Sequence, residues 1–213
     1  MRIKCLLVLL TASSSLLAQA QFISPTKTFP PNGSTFVSGP VSVSSLNAKW
    51  YSMELSGFSN VPEIPFSGWS GPLVVSDVLV KRRKWPGGGV IDVKTDPGTM
   101  RLIFSSTGFS ASVDNYLIAI DEFAVSYPET GERFRRKRTP ALFAHNIMQR
   151  VAGGYAITGQ LSVDLEYSND NGTTWASVDD PVVFDLQSAV PEPASIAAMG
   201  LGLVALLRKK RSK

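Results

Sequence analysis

The sequence predicts an all-β protein whose central part folds as an antiparallel β-sandwich or jelly-roll-like domain. Short runs rich in β-branched and aromatic residues recur along the chain, and turn signals separate them roughly every ten residues. Long helical periodicity is absent, and no repeat with a period of about 20–50 residues occurs, which disfavours solenoids and propellers. The stretch between the two ends is long enough for one domain with a sizeable core.

The predicted strands follow from alternation or from short apolar runs, and they are 41–43, 49–58, 73–80, 90–93, 100–106, 115–127, 155–167, 173–178 and 182–186. The run 115–127 is either one long strand or two strands broken near Asp121. The run 155–167 places Leu161 and Leu165 on one face and Asp164 and Glu166 on the other. Residues 61–72 read as a loop, and Pro140–Arg150 is the one segment of the exported chain predicted as a helix.

Residues 1–20 have the composition of a secretory signal peptide. Two cations begin the segment, an apolar centre runs from Leu6 to Leu17, and Ala18 and Ala20 form an A-x-A cleavage site. Signal peptidase is therefore an expected processing partner, and the mature chain is expected to begin at Gln21. The one cysteine of the sequence lies inside this segment, so disulfides and thiolate chemistry are excluded from the mature protein.

The segment from Val190 to Lys213 joins three pieces in a fixed order, namely Pro191-Glu192-Pro193, an uncharged apolar run over 195–207, and a basic end. As a helix the apolar run is about 20 Å long at about 1.5 Å per residue. A bilayer core is about 30 Å thick, so the run is predicted as a short transmembrane helix that holds the chain in the inner membrane transiently. The basic end stays cytoplasmic.

The order of these pieces resembles the PEP-CTERM sorting signal, with Pro191, Glu192 and Pro193 as the sorting motif. The resemblance implies recognition by an exosortase and delivery to the cell envelope or extracellular matrix of a Gram-negative-type bacterium. It implies no particular fold or activity for the rest of the chain. The expected organisation is a signal peptide at 1–20, an exported β-sandwich domain at 21–188 and the sorting signal at 189–213.

The basic pI of 9.3 belongs mostly to the two ends of the chain. Seven of the 21 lysines and arginines lie in the signal peptide and after Leu207, which leaves 14 cations against 16 carboxylates in between. The exported domain is therefore slightly acidic overall. A nucleic-acid partner is excluded on this ground and by the export route.

The segment Ser168 to Trp175 resembles the Asp-box, pattern S-x-D-x-G-x-T-W, whose fixed positions are Ser168, Asp170, Gly172, Thr174 and Trp175. The resemblance implies a folded hairpin in which Asp170 accepts hydrogen bonds from turn amides, Gly172 takes positive φ and Trp175 packs beneath. The box recurs in sialidases, which raises glycoside hydrolysis as an idea. A single copy favours a structural role here.

Two basic runs hold most of the cations of the exported domain, and they are predicted to form a polyanion-binding patch if the fold brings them together. Their members are Lys81, Arg82, Arg83, Lys84, Arg133, Arg135, Arg136, Lys137 and Arg138. Outside the cell, the expected ligand is an acidic exopolysaccharide, with Trp85 and Phe134 adding apolar faces for sugar rings. Solvated hairpin ends or blunted edge strands are the alternative interpretation of the same runs.

The sequence identifies no catalytic constellation, no cofactor and no metal site. His145 is the one histidine, so a Ser-His-Asp triad or a histidine-rich metal centre has little to draw on. Asp164 and Glu166 are about 7 Å apart along a strand at about 3.3 Å per residue, a spacing that suits glycoside hydrolysis. The favoured role is structural or adhesive, in contact with exopolysaccharide, and the alternative is an extracellular carbohydrate-active enzyme.

Overall fold

The computed structural model describes residues 21–84, 93–95 and 97–187, and the side chains at 83, 84, 93 and 94 lie outside this description. Within these residues the regular structure is β-strand, apart from one 3-10 turn at Ser44–Leu46. The strands are β1 Phe22–Ser24, β2 Phe36–Ser38, β3 Val41–Val43, β4 Ala48–Ser56, β5 Gly71–Lys84, β6 Val93–Lys94, β7 Gly98–Phe109, β8 Val113–Tyr127, β9 Glu132–Arg136, β10 Phe143–Val151, β11 Gly154–Val163, β12 Leu165–Ser168, β13 Ala176–Ser177 and β14 Val182–Leu186. The predicted all-β, sandwich-like fold class is confirmed.

Three long strands change partners along their length, and this folds one antiparallel sheet into two layers. Strand β5 pairs with β7 near its start and with β4 near its end. Strand β8 pairs with β10 first and with β9 later, and β11 pairs with β10 first and with β14 later. The pairings therefore run in a closed circuit through β11, β14, β2, β4, β5, β7, β8 and β10, which leaves few free edges.

The core lies between the two layers and is rich in aromatic rings. Trp50 on β4 packs edge-on against Phe134 on β9, with ring centroids 5.3 Å apart, and against Tyr167 on β12 at 4.9 Å. Since β4 is paired with neither β9 nor β12, these contacts cross from one layer to the other. Each such ring pair contributes roughly 0.5–1.5 kcal/mol beyond its buried area.

Strand β10 corrects the prediction of a helix over Pro140–Arg150. Asn146 and Met148 are completely buried while His145 and Gln149 are exposed, which is the period of a strand. Both edges of β10 are paired, with β8 on one side and β11 on the other. Two complete ladders outweigh a local helical preference that is worth only tenths of a kcal/mol per residue.

Other expectations need smaller adjustments. The run 115–127 is one strand, β8, without a break at Asp121. The run 155–167 is divided at Asp164 into β11 and β12. Residues 61–70 contain no strand, as predicted, and β5 begins at Gly71.

The predicted signal peptide, the sorting motif and the apolar run 195–207 lie outside the described residues, and so do the expected domain boundaries. Within the part of the chain that the structure describes, no helix has the length and apolar character that a bilayer crossing requires.

Candidate polyanion-binding groove

Strand β9 presents alternate arginines to solvent. Phe134 is 1% exposed, so Arg133 and Arg135 on either side of it point away from the core. Both arginines are exposed. Part of the second basic run is thus a rigid strand that displays two outward guanidinium groups.

Strand β12 and the residues after it hold Arg135 in place. Glu166 is the register partner of Arg135 in the β9–β12 ladder, and its Oε2 lies 2.7 Å from Arg135 Nε. The guanidinium of Arg135 also stacks on Trp175, with its central carbon 3.9 Å from the ring centroid. Such an exposed cation–π contact is worth about 0.5–1 kcal/mol. Arg135 therefore links the basic strand to the turn that carries Trp175.

The turn from Ser168 to Trp175 is organised around one carboxylate. Asp170 accepts hydrogen bonds from the backbone N–H and the hydroxyl of Thr174, at 2.9 and 2.6 Å, and from the Ser168 hydroxyl at 2.7 Å. These bonds, those from Thr174 first, lower the pKa of Asp170 to about 2. The Ser168 hydroxyl in turn accepts the Gly172 N–H, and Gly172 has φ of +85°, a conformation that glycine tolerates.

A hydrogen bond from the indole N–H fixes the orientation of the Trp175 ring. The indole N–H donates to the Gly172 carbonyl at 3.0 Å, and the ring remains half-buried. A fixed indole loses little conformational entropy when a ligand stacks on it.

A groove of about 380 Å³ runs beside this ring and is lined by Arg133, Arg135 and Trp175 together with Pro97, Gly98, Ala124, Val125, Ser126 and Phe134. Among the described residues, no carboxylate lies within salt-bridge distance of Arg133, whereas Arg135 is paired. The groove can therefore offer one guanidinium fork to an anion and one flat ring to an apolar face.

The rest of the second run turns away from this groove. Arg136 donates from Nη2 to the Thr139 carbonyl at 2.5 Å, and the Lys137 backbone N–H donates to the Asp164 carbonyl. Lys137 is half-buried and Arg138 is exposed. Arg136 thus ends β9, and Lys137 and Arg138 lie in the connection from β9 to β10.

The first basic run does not join this surface. Lys81 lies on the other layer, where its Nζ is 3.1 Å from Glu54 Oε1. Arg82 is 2% exposed and forms an ion pair with Glu132. The expectation that Arg82 contributes to a surface site is wrong, because its guanidinium lies between the layers. The side chains of Arg83 and Lys84 are outside the described residues.

Arg82 and Glu132 form the centre of a polar cluster inside the core. Burial raises the pKa of Glu132, but hydrogen bonds from Arg82, Thr130 and Tyr167 outweigh it and hold the pKa below its usual range. Burial likewise opposes the charge of Arg82, but Glu132 outweighs it and raises the pKa. The guanidinium also lies 4.5 Å from the centroid of the Tyr127 ring. Burial first of all raises the pKa of both Tyr127 and Tyr167, so they are neutral phenols.

The two carboxylates considered for glycoside hydrolysis each interact with a neighbouring side chain of the protein. Asp164 Oδ2 accepts the Thr139 hydroxyl at 2.8 Å, and Glu166 is paired with Arg135. His145 lines a separate groove of about 310 Å³ between β10, β11 and the end of β14. Among the described residues, no cluster of three or more histidine, aspartate or glutamate side chains could hold a metal ion.

A second buried ion pair, besides that of Arg82 and Glu132, is not predicted by the sequence either. Lys27 Nζ lies 2.8 Å from Asp114 Oδ2, and the two side chains are 8% and 6% exposed. The sequence contains no spacing pattern that would pair a lysine near the start of the chain with an aspartate near the start of β8. The register of β8, which buries Asp114 on the same face as Tyr116, is the feature that would have revealed it.

The comparisons with known proteins concern the C-terminal end. The family model described as the PEP-CTERM protein-sorting motif matches residues 189–211. No curated protein and no solved structure gives a significant match to the chain. The matched segment contains the sorting motif Pro191-Glu192-Pro193 and implies processing by exosortase, with export to the cell envelope or extracellular space of Gram-negative bacteria. The chain is thus a β-sandwich-like domain that carries a PEP-CTERM sorting motif at residues 189–211.

Proposed function

We propose that the exported domain is a structural or adhesive component of the envelope or extracellular matrix and that it binds acidic exopolysaccharide in the groove beside Trp175. The observation that carries the proposal is the stack of Arg135 on Trp175 next to Arg133, which has no carboxylate partner among the described residues. Uronic-acid sugars combine a carboxylate with an apolar ring face. The groove supplies a complementary group for each.

The shape of the site favours binding over catalysis. The groove is open on the outer face of a sheet, and both of its arginines stand on one strand. A long polymer can cross such a surface and use many weak contacts, so a modest affinity per site is sufficient. Asp164 and Glu166 are each engaged by a neighbouring side chain, which supports a non-catalytic role in this proposal.

The test is a binding measurement on the purified exported protein with an alginate oligosaccharide as the acidic probe and a neutral dextran oligosaccharide as the control. Trp175→Ala removes the ring and is expected to weaken alginate binding about 3- to 10-fold, in line with a contact worth about 1 kcal/mol. Arg133→Gln removes one charge-assisted bond and is expected to weaken it by a similar factor. Binding should also fall as salt rises.

Arg150→Gln is the matched control, because it removes one exposed cation from β10, outside the groove. Its alginate affinity should equal that of the unchanged protein. Equal affinity for alginate and dextran, or equal losses in Arg133→Gln and Arg150→Gln, would contradict the proposal. Release of reducing ends from the polysaccharide that disappears in Glu166→Gln would favour the carbohydrate-active enzyme instead.

A further inference from the structure

The pair Lys27 and Asp114 is more than nine-tenths buried and joins two distant parts of the fold. Lys27 belongs to the segment that follows β1, while Asp114 is the second residue of the central strand β8. Isolated charges are rarely buried in this way, because each loses its hydration. Since the pair lies far from the groove beside Trp175, the proposed function makes no use of it.

A cluster of aromatic rings lies beside the pair on the buried face of β8. Asp114 and Tyr116 share the buried face of β8, and Phe104 packs against Tyr116 with centroids 5.7 Å apart. Phe29 and Trp69 pack on the same Phe104 ring, at 6.3 and 5.5 Å. Burial and the nearby charge of Asp114 raise the pKa of Tyr116 to about 12, so this neighbour is a neutral phenol. The amine and the carboxylate thus face each other next to this aromatic cluster, largely out of contact with water.

Two groups from the loop before β5 complete the arrangement. The Gly68 N–H donates to Asp114 Oδ1 at 3.2 Å. The Ser67 hydroxyl lies 3.2 Å from Lys27 Nζ and donates to Asp114 Oδ2 at 3.3 Å, so it touches both partners. One oxygen of the carboxyl group is therefore held by a backbone amide, and the other by a hydroxyl that also reaches the amine.

We propose that Lys27 and Asp114 condense to an intramolecular isopeptide bond. One proton passes from Nζ to Oδ2, Nζ then attacks Cγ of Asp114, and the Gly68 N–H stabilises the negative charge that develops on Oδ1. The Nζ–Cγ bond forms and the Cγ–Oδ2 bond breaks. Two of the three protons of the original ammonium group leave with Oδ2 as water, relayed by the Ser67 hydroxyl, and the amide keeps the third. The reaction needs no oxidant, metal or co-substrate.

Geometry and burial both favour this reaction. The nucleophile is held beside one oxygen of the carbon that it attacks, so the encounter is effectively unimolecular. Condensation replaces two buried charges with one neutral amide and so removes their desolvation penalty. The product would be a covalent link in a domain whose sequence after residue 20 contains no cysteine.

The test is a peptide map of the purified exported protein by mass spectrometry, with no substitution required. The expected result is one peptide pair joined through Lys27 and Asp114, lighter than the sum of its parts by one water, with no tryptic cleavage after Lys27. Complete recovery of the separate peptides from folded protein would overturn the proposal. Because the unchanged protein decides the question, loss of folding in a variant cannot obscure it.

Lys81 and Glu54 provide a matched control within the same map, because they form an ion pair at 3.1 Å in a more exposed place. Both residues belong to one tryptic peptide, residues 50–81, which should be recovered at its full mass with normal cleavage after Lys81. Asp114→Ala should abolish the link, and Ser67→Ala should slow its appearance in newly synthesised protein, followed as the linked fraction against time. Equal rates of link formation in Ser67→Ala and the unchanged protein would exclude Ser67 from the proton relay. The peptide map alone would then decide whether the link exists.

Discussion

At the scale of single residues, the ion pair between Arg82 and Glu132 strongly affects the stability of the core around it. It lies between the two layers, where the carboxylate also accepts a hydrogen bond from Tyr167 at 2.6 Å. A buried pair of this kind costs much desolvation to form, yet removal of one partner leaves a lone charge in the core. The intact pair therefore adds little net stability, whereas the loss of one partner is costly because it leaves an unpaired charge in the core.

Glu132→Gln is expected to lower the free energy of unfolding by about 3 kcal/mol, because Arg82 would stay charged and lose its counter-ion. Urea unfolding followed by tryptophan fluorescence measures the change. The double variant with Arg82→Met and Glu132→Leu should recover most of the loss, since no buried charge remains. A single variant within about 1 kcal/mol of the unchanged protein, or a double variant that is worse than the single one, would contradict this account.

The carboxylate of Asp170 predicts a defined dependence of stability on pH. Its folded pKa, about 2, lies below the value of about 3.9 expected in an unfolded chain. A lowered pKa means that the stabilisation is present above the unfolded pKa and is lost as pH falls through the folded one. Between pH about 4 and 2, the gap in Tm between the unchanged protein and Asp170→Asn should therefore narrow.

Thermal unfolding at several pH values measures this gap. Asp180→Asn is the control, because Asp180 is exposed and its carboxylate accepts no hydrogen bond from a described residue. A gap for Asp170→Asn that stays constant down to pH 2 would contradict the interpretation of the turn.

At the scale of elements, the change of pairing partner within β11 is the feature that allows two layers to share a strand. Gly159 lies where β11 leaves β10 and joins β14. The buried side chain of Asn146 crosses over it, accepting the Gln160 N–H at 3.0 Å and donating to the Ala144 carbonyl at 2.9 Å. A Cβ at Gly159 would lie 1.7 Å from Asn146 Oδ1, so only glycine fits.

Gly159→Ala is expected to lower the free energy of unfolding by about 1–3 kcal/mol, the usual cost of overpacking. Gly108→Ala is the matched control on β7, because a Cβ there would meet no atom within 4 Å. Chemical denaturation of the two variants gives the comparison. Equal effects of the two substitutions on the free energy of unfolding would mean that the crossing of Asn146 over Gly159 does not constrain this part of β11.

Most strands could be predicted from the sequence, because alternation in runs such as 100–106 and 182–186 is a local signal. β9 was missed as a strand, since its charges hid the single inward Phe134. The pattern of β10 predicts a helix, because its fully buried Asn146 breaks the apolar alternation that marks a strand. The sequence predicts roles for Trp175 and Arg133 separately. Their common position in one groove depends on the register between β9 and β12, which is a long-range property of the fold.

At the scale of the whole molecule, the sorting motif and the described strands occupy different stretches of the chain. The motif model covers 189–211, while the last described strand ends at Leu186. Pro191-Glu192-Pro193 can therefore be replaced by alanines without touching a described contact of the domain. We expect an uncut precursor that stays in the membrane fraction, measured by immunoblot of cell fractions with an antibody to the domain.

A domain variant such as Trp175→Ala is the control and should be processed like the unchanged chain. The mature form of the alanine variant appearing in the usual amount and compartment would contradict exosortase recognition of these three residues.

The closed circuit of strand pairings also determines how the domain would respond to mechanical load. A pull applied through the segment after Gln187 enters at β14, which is paired with β11 on one side and with β2 on the other. A pull that runs along β14 must shear both ladders at once instead of opening one bond at a time. The strand nearest the sorting segment is thus held in the interior of the sheet, and a tethered domain would resist extraction by the combined strength of two ladders.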